Sequence, residues 1–552
     1  MLNILYISFH AGTHINFDAV CENNNWNITH LMPPHDYYLN RITSEKIFNE
    51  CYKNLIFKDE NEPIFSHIII SDTITCSYPF MKNIGLLNKI KIILQVTNYF
   101  DYNMKDNLEY YEDLRNFVLN DNVYVYYVDN YIKKYLEYYK IIPKYLNYIP
   151  LSGKIGNKQN KTLYPSVKDI KNLGCDIYYP IEATFSSKNN FFTIYKGFNS
   201  INNFCNGYIN YKMENIISIH DQYYGGINFL KNYLGCVYIP YHYSTVSFKE
   251  FLSAGFMMLI PTKEFCKTLF TKDNEINLDL CDYYLKPVSD MVIYFNSYEE
   301  LITTINYLNV HRDESIQIKN KIKNFMFEYD SNIFRELYYY IEQPNTICKY
   351  KGYMDECFIR LNTSRFNTFY KTIEYLKTIN DPIIVELGTT RSFMTGPSCI
   401  EDKSFWKENE PSKWDYGGGI FTYLFAEALQ HKNFTIYSVD IDSEAIEVCK
   451  VMTNKFKNIK YLNQPSTEFL KSFKDKCHLI YMDHGETSLE TQDLHLTDAR
   501  IIIDNNMIVK DGIILIDDNY THIGNGVKSC RLFIENNYGI ENNEYQLLLR
   551  KL

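Results

Sequence analysis

Short runs of apolar and β-branched residues alternate with longer segments of helical periodicity along the whole sequence of 552 residues. A chain patterned in this way forms parallel sheets covered by helices, so the sequence predicts the α/β class. In the N-terminal part, strands are expected near Asn3–Phe9, His67–Ser71, Lys91–Val96, Val123–Val128, Asn215–His220, Cys236–Tyr241, Met258–Pro261 and Met291–Phe295. In the C-terminal part, they are expected at Ile383–Leu387, Thr435–Asp440, Ile459–Leu462, Leu479–Asp483, Gly512–Asp517 and in the closing segment EYQLLLRKL.

Two polar segments interrupt this alternation. Ser152–Lys161 (SGKIGNKQNK) is polar and contains Gly, and Gln343–Gly352 (QPNTICKYKG) has the composition of a linker. A helical pattern from about Glu314 to Gln343 precedes the second segment. At about 150 residues per domain, the length predicts three to four domains. We expect three Rossmann-like units, at residues 1–160, 161–345 and 353–552.

Charge and cysteine content exclude several classes of protein. The sequence has 56 Lys and Arg against 66 Asp and Glu, a net charge of −10, which argues against a nucleic-acid binder. Its 14 cysteines form no CxxC pair, which argues against a zinc site and favours reduced thiols. The opening MLNILYISFHAG lacks the basic region of a signal peptide, and no apolar run is long enough to span a membrane. A cytoplasmic protein is expected.

In the C-terminal part, the expected strands end in acidic residues and glycine. The first ends in Glu386 and is followed by Gly388, and the glycines Gly417 to Gly419 precede an expected helix over 420–429. Ligands of open α/β sheets bind at the carboxyl ends of the strands, where glycine permits close approach to the backbone. A plain tight turn is the alternative for the glycine cluster.

The next two strands carry polar residues at the same edge. Asp440 ends the second strand, where an acid can accept hydrogen bonds from both hydroxyls of a ribose, and Ser466 follows the third. An acid that only caps the surface is the alternative. VELGTT, SVDID and NQPSTEFL resemble the motifs of class I S-adenosylmethionine-dependent methyltransferases over about residues 360–552. The resemblance implies a cofactor site formed by Glu386, Gly388, Gly418, Asp440 and Ser466.

Three aspartates follow the fourth and fifth strands of this unit. Asp483, Asp517 and Asp518 are expected at one edge, where their mutual repulsion favours a bound cation. Oxygen ligands suit Mg²⁺ or Mn²⁺. The pattern resembles metal-dependent O-methyltransferases, in which the cation holds the acceptor oxygen. Acids that cap helices or face solvent are the alternative.

Methyl transfer to a hydroxyl requires a general base within hydrogen-bond reach of the acceptor. Two histidines are candidates. His484 is adjacent to a predicted metal ligand, and His522 lies four residues after Asp518. His522 is slightly favoured because some sugar O-methyltransferases place a histidine there. A purely structural role is the alternative for each.

The N-terminal half contains one segment that suggests an anion site. Cys236–Gly255 predicts a strand, a loop and a helix with Ser244 or Thr245 near its N-cap, and the N-terminus of a helix there suits a nucleotide diphosphate. The segment resembles the donor site of GT-B glycosyltransferases, which implies that Glu250 contacts the ribose of a nucleotide-sugar. His242 stands where many retaining members have glutamate.

Lys196 is a further candidate phosphate contact in this half, with a solvated lysine as the favoured alternative. The predicted donor-binding residues are therefore Glu250, His242, Ser244 and Lys196. A packed helix with a capping acid is the alternative for His242 and Glu250.

Together these resemblances predict a bifunctional glycan-modifying enzyme. It transfers a sugar from a nucleotide-sugar and O-methylates a sugar hydroxyl of a glycan or glycoside. The fusion and a composition rich in Tyr, Phe, Asn, Ile and Lys, which have AT-rich codons, resemble glycan-building proteins of large DNA viruses or protists. One alternative is a methyltransferase whose N-terminal half only binds a glycan. Another is a scaffold without activity.

Overall fold

The computed structural model describes residues 2–8, 11–31, 45–59, 62–98, 108–156, 162–165, 170–171, 191–194, 216–219, 233–240, 243, 246–270, 276–343, 346–357, 364–393, 406–418, 420–519 and 524–552. The chain divides into two compact units. Unit 1 comprises Met1–Pro143 and Asn147–Glu342, and unit 2 comprises Lys144–Leu146 and Gln343–Leu552. The boundary predicted within residues 1–345 stays a prediction.

Unit 1 contains two mainly parallel sheets. The strands of the first sheet follow the order β10-β9-β2-β1-β5-β6-β7-β8, and those of the second the order β12-β11-β13-β14-β15. A short hairpin of β3 and β4 stands apart from both. The strands are β1 (Asn3–Ile7), β2 (Asn27–Leu31), β3 (Phe57–Asp59), β4 (Glu62–Pro63), β5 (His67–Thr73), β6 (Lys91–Asn98), β7 (Val123–Tyr127), β8 (Leu146–Tyr148), β9 (Thr162–Pro165), β10 (Ile170–Lys171), β11 (Phe191–Ile194), β12 (Ile216–Ile219), β13 (Gly235–Val237), β14 (Met257–Pro261) and β15 (Val292–Phe295).

Helices follow most of these strands. Side-chain caps define where several of them begin: the Asp129 carboxylate accepts from the backbone N–H of Ile132, and the Ser297 hydroxyl accepts from that of Glu300. The helices of unit 1 are α1 (Ala11–Asn24), α2 (Lys53–Ile56), α3 (Tyr78–Met81), α4 (Leu108–Phe117), α5 (Asn130–Tyr138), α6 (Val246–Ser253), α7 (Lys263–Leu269), α8 (Tyr298–Val310) and α9 (Arg312–Glu342).

Unit 2 is built on one seven-stranded sheet with the order β18-β17-β16-β19-β20-β22-β21. The neighbours from β18 to β20 are parallel, whereas β22 is antiparallel to both β20 and β21. The strands are β16 (Ile383–Leu387), β17 (Thr435–Asp440), β18 (Ile459–Asn463), β19 (Cys477–Met482), β20 (Ile508–Ile516), β21 (Tyr538–Asn543) and β22 (Leu547–Lys551).

The helices of unit 2 cover this sheet. They are α10 (Lys351–Cys357), α11 (Phe366–Lys377), α12 (Phe421–Leu429), α13 (Ser443–Thr453), α14 (Ser466–Ser472), α15 (Leu489–Asp504) and α16 (Val527–Glu535). The central strands are buried on both faces, as expected for a parallel sheet between helices. One core cluster packs Val385, Leu387, Ile480 and Met482 of the central strands against Phe469 and Ile502 of the helices.

The predicted α/β class with Rossmann-like sheets is confirmed by this architecture. The strand prediction at Ile383–Leu387 is exact, and the helix predicted from Glu314 forms as α9, a helix of 31 residues. Other boundaries shift by a few residues; β19, for example, ends at Met482 and not at Asp483. The predicted linker Gln343–Gly352 includes the first two residues of α10. Among the described helices, none has the length and apolar content needed to cross a membrane.

The order of the strands in unit 2 reverses at β16. From β16 the chain continues to β17 and β18 on one side and then returns to β19 and β20 on the other. In open α/β sheets the ligand crevice lies at such a switch point. Gly388, directly after β16, has a φ of +86°, and its N–H donates to the Val439 carbonyl at 2.8 Å. A Cβ atom at this position would lie 2.1 Å from the carbonyl oxygen of Asp483.

Replacing Gly388 by alanine should therefore destabilise unit 2, because the left-handed backbone alone costs about 1 to 3 kcal/mol for a residue with a side chain and the contact with Asp483 adds to this. Urea unfolding of the full chain measures the effect. Gly539→Ala is the matched control, since the nearest atom to its Cβ would be Leu552 Cδ2 at 3.4 Å, an ordinary van der Waals contact. Equal unfolding midpoints for the two variants would contradict the close approach.

Candidate functional site

A cleft of about 510 Å³ lies at the carboxyl ends of the unit 2 strands. Its walls are formed by the loops that follow β16 to β20, together with the glycine segment before α12. Seven of the residues predicted for the methyltransferase site line it: Gly388, Gly418, Asp440, Ser466, Asp483, His484 and Asp518. The other lining residues are Arg365, Thr389, Arg391, Gly417, Val439, Ile441, Asp442, Ala445, Pro465, Thr467, Gly485, Glu486, Leu494 and Tyr545.

Asp440 is held in place by backbone donors at the tip of β17. Its Oδ2 accepts from the N–H of Thr389 at 2.9 Å, and its Oδ1 accepts from the N–H of Asp442 at 2.8 Å. A carboxylate has about four acceptor positions, so these two bonds leave capacity for the hydroxyls of a ligand. Asp440 is thus a fixed acceptor on the wall of the cleft.

Glu386 does not line the cleft, and its predicted contact with a cofactor needs correction. Its side chain is 1% exposed, and its Oε2 accepts hydrogen bonds from the hydroxyls of Thr422 and Ser438. Ser438 is its direct partner in the register of β16 and β17. Burial raises the pKa of Glu386 to about 7. Glu386 therefore ties two strands and α12 together beneath the site.

The glycine segment before α12 and Ser466 at the start of α14 also border the cleft. The N–H of Gly418 donates to Asp415 Oδ1 at 2.8 Å, and a Cβ at Gly418 would lie 2.5 Å from the Ser392 hydroxyl. A larger residue at Gly418 would have to displace the side chains of Ser392 and Asp415. The Ser466 hydroxyl donates to Asp498 Oδ2 at 2.7 Å. Gly419 lies outside the described residues.

The positive group that Asp517 faces is a guanidinium and not a metal site. It has no exposed surface and forms a two-pronged ion pair with Arg365, in which Nε donates to Oδ1 at 3.0 Å and Nη2 donates to Oδ2. The amide of Gln546 also donates to Oδ1, at 2.6 Å. The predicted metal role of Asp517 is therefore wrong, because Arg365 supplies the positive charge that the prediction gave to Mg²⁺ or Mn²⁺.

The two other predicted metal ligands line the cleft but bind tyrosines. The hydroxyl of Tyr481 donates to Asp483 Oδ2 at 3.0 Å, and that of Tyr545 donates to Asp518 Oδ1 at 2.6 Å. Burial, and then the charge of Asp517, raise the pKa of Asp483 well above its usual value and also raise that of Asp518. Among the described residues, no group of three or more His, Cys, Asp or Glu is arranged to hold a metal ion. The described residues therefore do not form a site for a resident divalent cation.

Of the two histidines predicted as general bases, His484 lines the cleft and His522 lies outside the described residues. The His484 side chain is 12% exposed, and its Nε2 lies 2.9 Å from Asp498 Oδ2. The orientation of the ring falls outside hydrogen-bond geometry at this contact, and its Nδ1 has no partner among the described residues. Both ring nitrogens of His484 are buried, and its role as a base stays a prediction.

Three of the four predicted donor-binding residues of unit 1 lie outside the described residues. His242, Ser244 and Lys196 lie outside the described residues, and α6 is described from Val246 onward. Glu250 lies on α6 and is 6% exposed. Its contact with a nucleotide-sugar stays a prediction.

Three residues that sequence reasoning missed complete the site: Arg365, Tyr545 and Asp498. Arg365 and Tyr545 line the cleft, and Asp498 lies beneath it on α15. None belongs to a local motif, because each meets its partners across long stretches of chain. Arg365 and Asp517 are separated by 152 positions.

No protein-family model and no curated protein matches this sequence. Solved structures that resemble it include methyltransferases. The N-methyltransferase NodS from Bradyrhizobium japonicum WM9 is 14% identical over 33% of this chain and 93% of its own, with a TM-score of 0.23. An rRNA methylase from Streptococcus thermophilus is 12% identical over 34% of this chain and 95% of its own, with a TM-score of 0.23. The ribosomal protein L11 methylase from Lactobacillus delbrueckii subsp. bulgaricus is 14% identical over 33% and 77%, with a TM-score of 0.23. The function of this chain is therefore inferred from its own residues.

Breaking the Arg365–Asp517 pair should strongly destabilise unit 2. Arg365→Met leaves a buried carboxylate without its counter-charge, which typically costs about 3 to 5 kcal/mol. Urea unfolding of the full chain measures the loss. Arg531→Met is the matched control, since Arg531 is 85% exposed and pairs only on the surface; we expect a change of at most about 1 kcal/mol there. A double variant, Arg365→Met with Asp517→Leu, should recover stability, and an equally unstable double variant would contradict the ion-pair explanation.

The buried Glu386 should make unit 2 less stable as the pH rises from about 4.5 to about 7. Its folded-state pKa, about 7, lies above the ordinary value of 4.5, so the folded state holds the proton that the unfolded state releases in this window. The free energy of unfolding then falls with rising pH, by at most about 1.4 kcal/mol per unit for one proton. Glu386→Gln should flatten this dependence, and the exposed Glu444→Gln should not. Identical pH profiles of the unfolding midpoint for Glu386→Gln and the unmodified protein would refute the assignment.

Proposed function

We propose that unit 2 transfers methyl groups from S-adenosylmethionine. The proposal rests on two neighbouring features at the switch point of the sheet. One is the backbone of Gly388, which has no side chain, and the other is the fixed acceptor Asp440. Such a crevice suits a nucleoside whose ribose hydroxyls donate to the acid. Gly388, Asp440 and Ser466 would hold the nucleoside end of the cofactor, with Gly418 close to its other end.

The charge of the cleft favours a positively charged ligand. Five acidic residues line it, Asp440, Asp442, Asp483, Glu486 and Asp518, against only two arginines. Both arginines are already paired with carboxylates, Arg365 with Asp517 and Arg391 with Glu486 at 2.8 Å. A cation in the cleft would favour the ionised forms of Asp483 and Asp518, whose pKa values are raised without it. S-adenosylmethionine carries a sulfonium and an ammonium group, and so meets this requirement.

A dinucleotide is a poorer fit for the same cleft. In dinucleotide-binding folds, the pyrophosphate lies on the N-terminus of the helix that directly follows the first strand. Among the described residues, the first α-helix after β16 is α12, which begins at Phe421, more than thirty residues after Leu387. An acidic cleft would also repel the phosphates.

The chain's own residues supply binding and proton transfer. S-adenosylmethionine, when bound, supplies an electrophilic methyl group. Asp440 orients the nucleoside, and the glycine backbones of Gly388 and Gly418 allow close approach. Of the two predicted bases, His484 is the one that the structure describes, and it lies on the wall of the cleft. It is the candidate for removing the proton of an acceptor hydroxyl. The proposed acceptor is a sugar hydroxyl of a glycan or glycoside, and no step depends on a metal ion.

Glycosyl transfer by unit 1 stays a separate proposal that rests on the sequence resemblance. Hydrolysis of nucleotide-sugars by the full chain, lost in Glu250→Gln, would support it. Glycan binding without hydrolysis of any nucleotide-sugar in a broad panel would instead favour a methyltransferase with a binding module.

Asp440→Asn should weaken binding of S-adenosylhomocysteine to the full chain by about 10- to 100-fold. Hydrogen bonds to a charged acceptor are worth about 1.5 to 3 kcal/mol, and each 1.4 kcal/mol is tenfold in affinity. Isothermal titration calorimetry measures this loss. The control Asp504→Asn changes an exposed aspartate at the end of α15, away from the cleft, and should bind as the unmodified protein does. Absence of binding by the unmodified protein would refute the proposed function.

A further inference from the structure

Arg391 and Glu486 form an ion pair between two loops of the cleft. Nη1 of Arg391 donates to Glu486 Oε1 at 2.8 Å. Arg391 follows β16 and Glu486 follows β19, which are neighbouring strands, and both residues line the cleft. Their side chains are 64% and 79% exposed. Ion pairs between exposed side chains contribute little to stability, so this pair can exchange partners readily.

The backbone at both ends of this ion pair is held in place by hydrogen bonds. Next to Arg391, the hydroxyl of Ser392 donates to the carboxylate of Asp415. The carbonyl of Glu486 accepts from the hydroxyl of Thr491 at 2.5 Å. An exchange of partners can therefore proceed by rotation of the two exposed side chains while the loops stay in place.

The amino acid end of S-adenosylmethionine brings a carboxylate into an acidic cleft. The five acidic residues that line the cleft would repel this carboxylate unless a cation stood beside it. The described lining residues include two arginines, Arg365 and Arg391, and no lysine. Arg365 is committed to Asp517, a carboxylate without exposed surface that it binds through two nitrogens. Arg391 is therefore the lining cation that can bind a ligand.

The position of Arg391 along the cleft also suits this group. Asp440 and Ser466, which are proposed for the nucleoside, lie at the end of β17 and just after β18. In the sheet, the order of the strands is β18-β17-β16-β19, so the loops that carry Arg391 and Glu486 lie to one side of the nucleoside. A ligand with its nucleoside at β17 and β18 can thus extend its amino acid end towards the ion pair.

We infer that Arg391 binds the carboxylate of the cofactor and that Glu486 competes with the cofactor for Arg391. The inference rests on the proposed function, because it assigns a binding role in the same cleft. Hydrogen bonds between a guanidinium and a carboxylate are charge-assisted and stronger than neutral ones, so the carboxylate of a ligand can replace that of Glu486. An acceptor with its own carboxylate, such as a uronic acid, is the other source of this group, and the experiment separates the two sources.

Calorimetric titration of the full chain with two ligands isolates the contribution of the carboxylate. One ligand is S-adenosylhomocysteine, and the other is 5′-deoxy-5′-(3-aminopropylthio)adenosine, the same molecule without its carboxylate. Arg391→Gln should weaken binding of S-adenosylhomocysteine by about tenfold or more, the effect of losing a hydrogen bond to a charged group. It should not weaken binding of the decarboxylated ligand, because the contacts of the nucleoside and the ammonium group remain.

Glu486→Gln should have the opposite effect, because it removes the competing carboxylate. The affinity for S-adenosylhomocysteine relative to the decarboxylated ligand should rise by up to about fivefold, the most that an exposed ion pair contributes. This ratio cancels the effect of one lost acidic charge on the ammonium group, which both ligands share. Arg531→Gln and Glu535→Gln are the matched controls, since they break an exposed ion pair of the same 2.8 Å length on α16, outside the cleft lining. Neither control should change the ratio.

An unchanged ratio of affinities in Arg391→Gln would overturn the inference, and an unchanged or lower ratio in Glu486→Gln would overturn the competition. Binding of the decarboxylated ligand by each variant verifies that its fold survives. If Arg391→Gln instead loses affinity for methyl glucuronide while the ratio stays the same, the carboxylate belongs to the acceptor and the assignment to the cofactor is wrong. Failure of the unmodified protein to bind either nucleoside ligand would refute the proposed function and the inference with it.

Discussion

The candidate site depends on the buried ion pair of Arg365 and Asp517. The guanidinium binds both oxygens of the strand-end aspartate and also donates to the carbonyl of Tyr416 at 2.6 Å. Arg365 immediately precedes α11, so one side chain joins that helix, the end of β20 and the loop before the glycines. Two-pronged pairs of this kind fix geometry as well as charge. The pair also allows Asp517 to be buried beside Asp483 and Asp518 without a metal ion.

Two acidic strand ends that look alike in the sequence have different roles in the structure. Glu386 and Asp440 each end or nearly end a strand of the same sheet, and both were predicted to contact the cofactor. Glu386 is buried under two hydroxyl groups, whereas Asp440 stands at the tip of β17 and lines the cleft. The position of Glu386 one residue before the end of β16 places its side chain inside the sheet layer. A single position along the strand therefore separates a buried structural acid from one that lines the cleft.

The sequence predicted the sheet of unit 2 and most of one wall of the cleft. Apolar runs that end in acids or glycine located β16 and β17 exactly, because burial on both faces requires continuous apolar residues. The edge strand β21 (YGIENN) was missed, since a half-exposed strand lacks that signal. Arg365 and Asp498 were missed for a different reason. Their roles arise from contacts between distant parts of the chain, which no local pattern records.

The hairpin at the edge of the sheet has a consequence for biosynthesis. Tyr545 lines the cleft and Gln546 holds Asp517, yet both belong to the segment that leads into β22, and β22 pairs with β20. A ribosome that has already made β16 must therefore add some 160 further residues before the cleft can close. From the completion of β20 until β22 is made, the edge of β20 lacks this partner strand, and unpaired strand edges favour aggregation during synthesis.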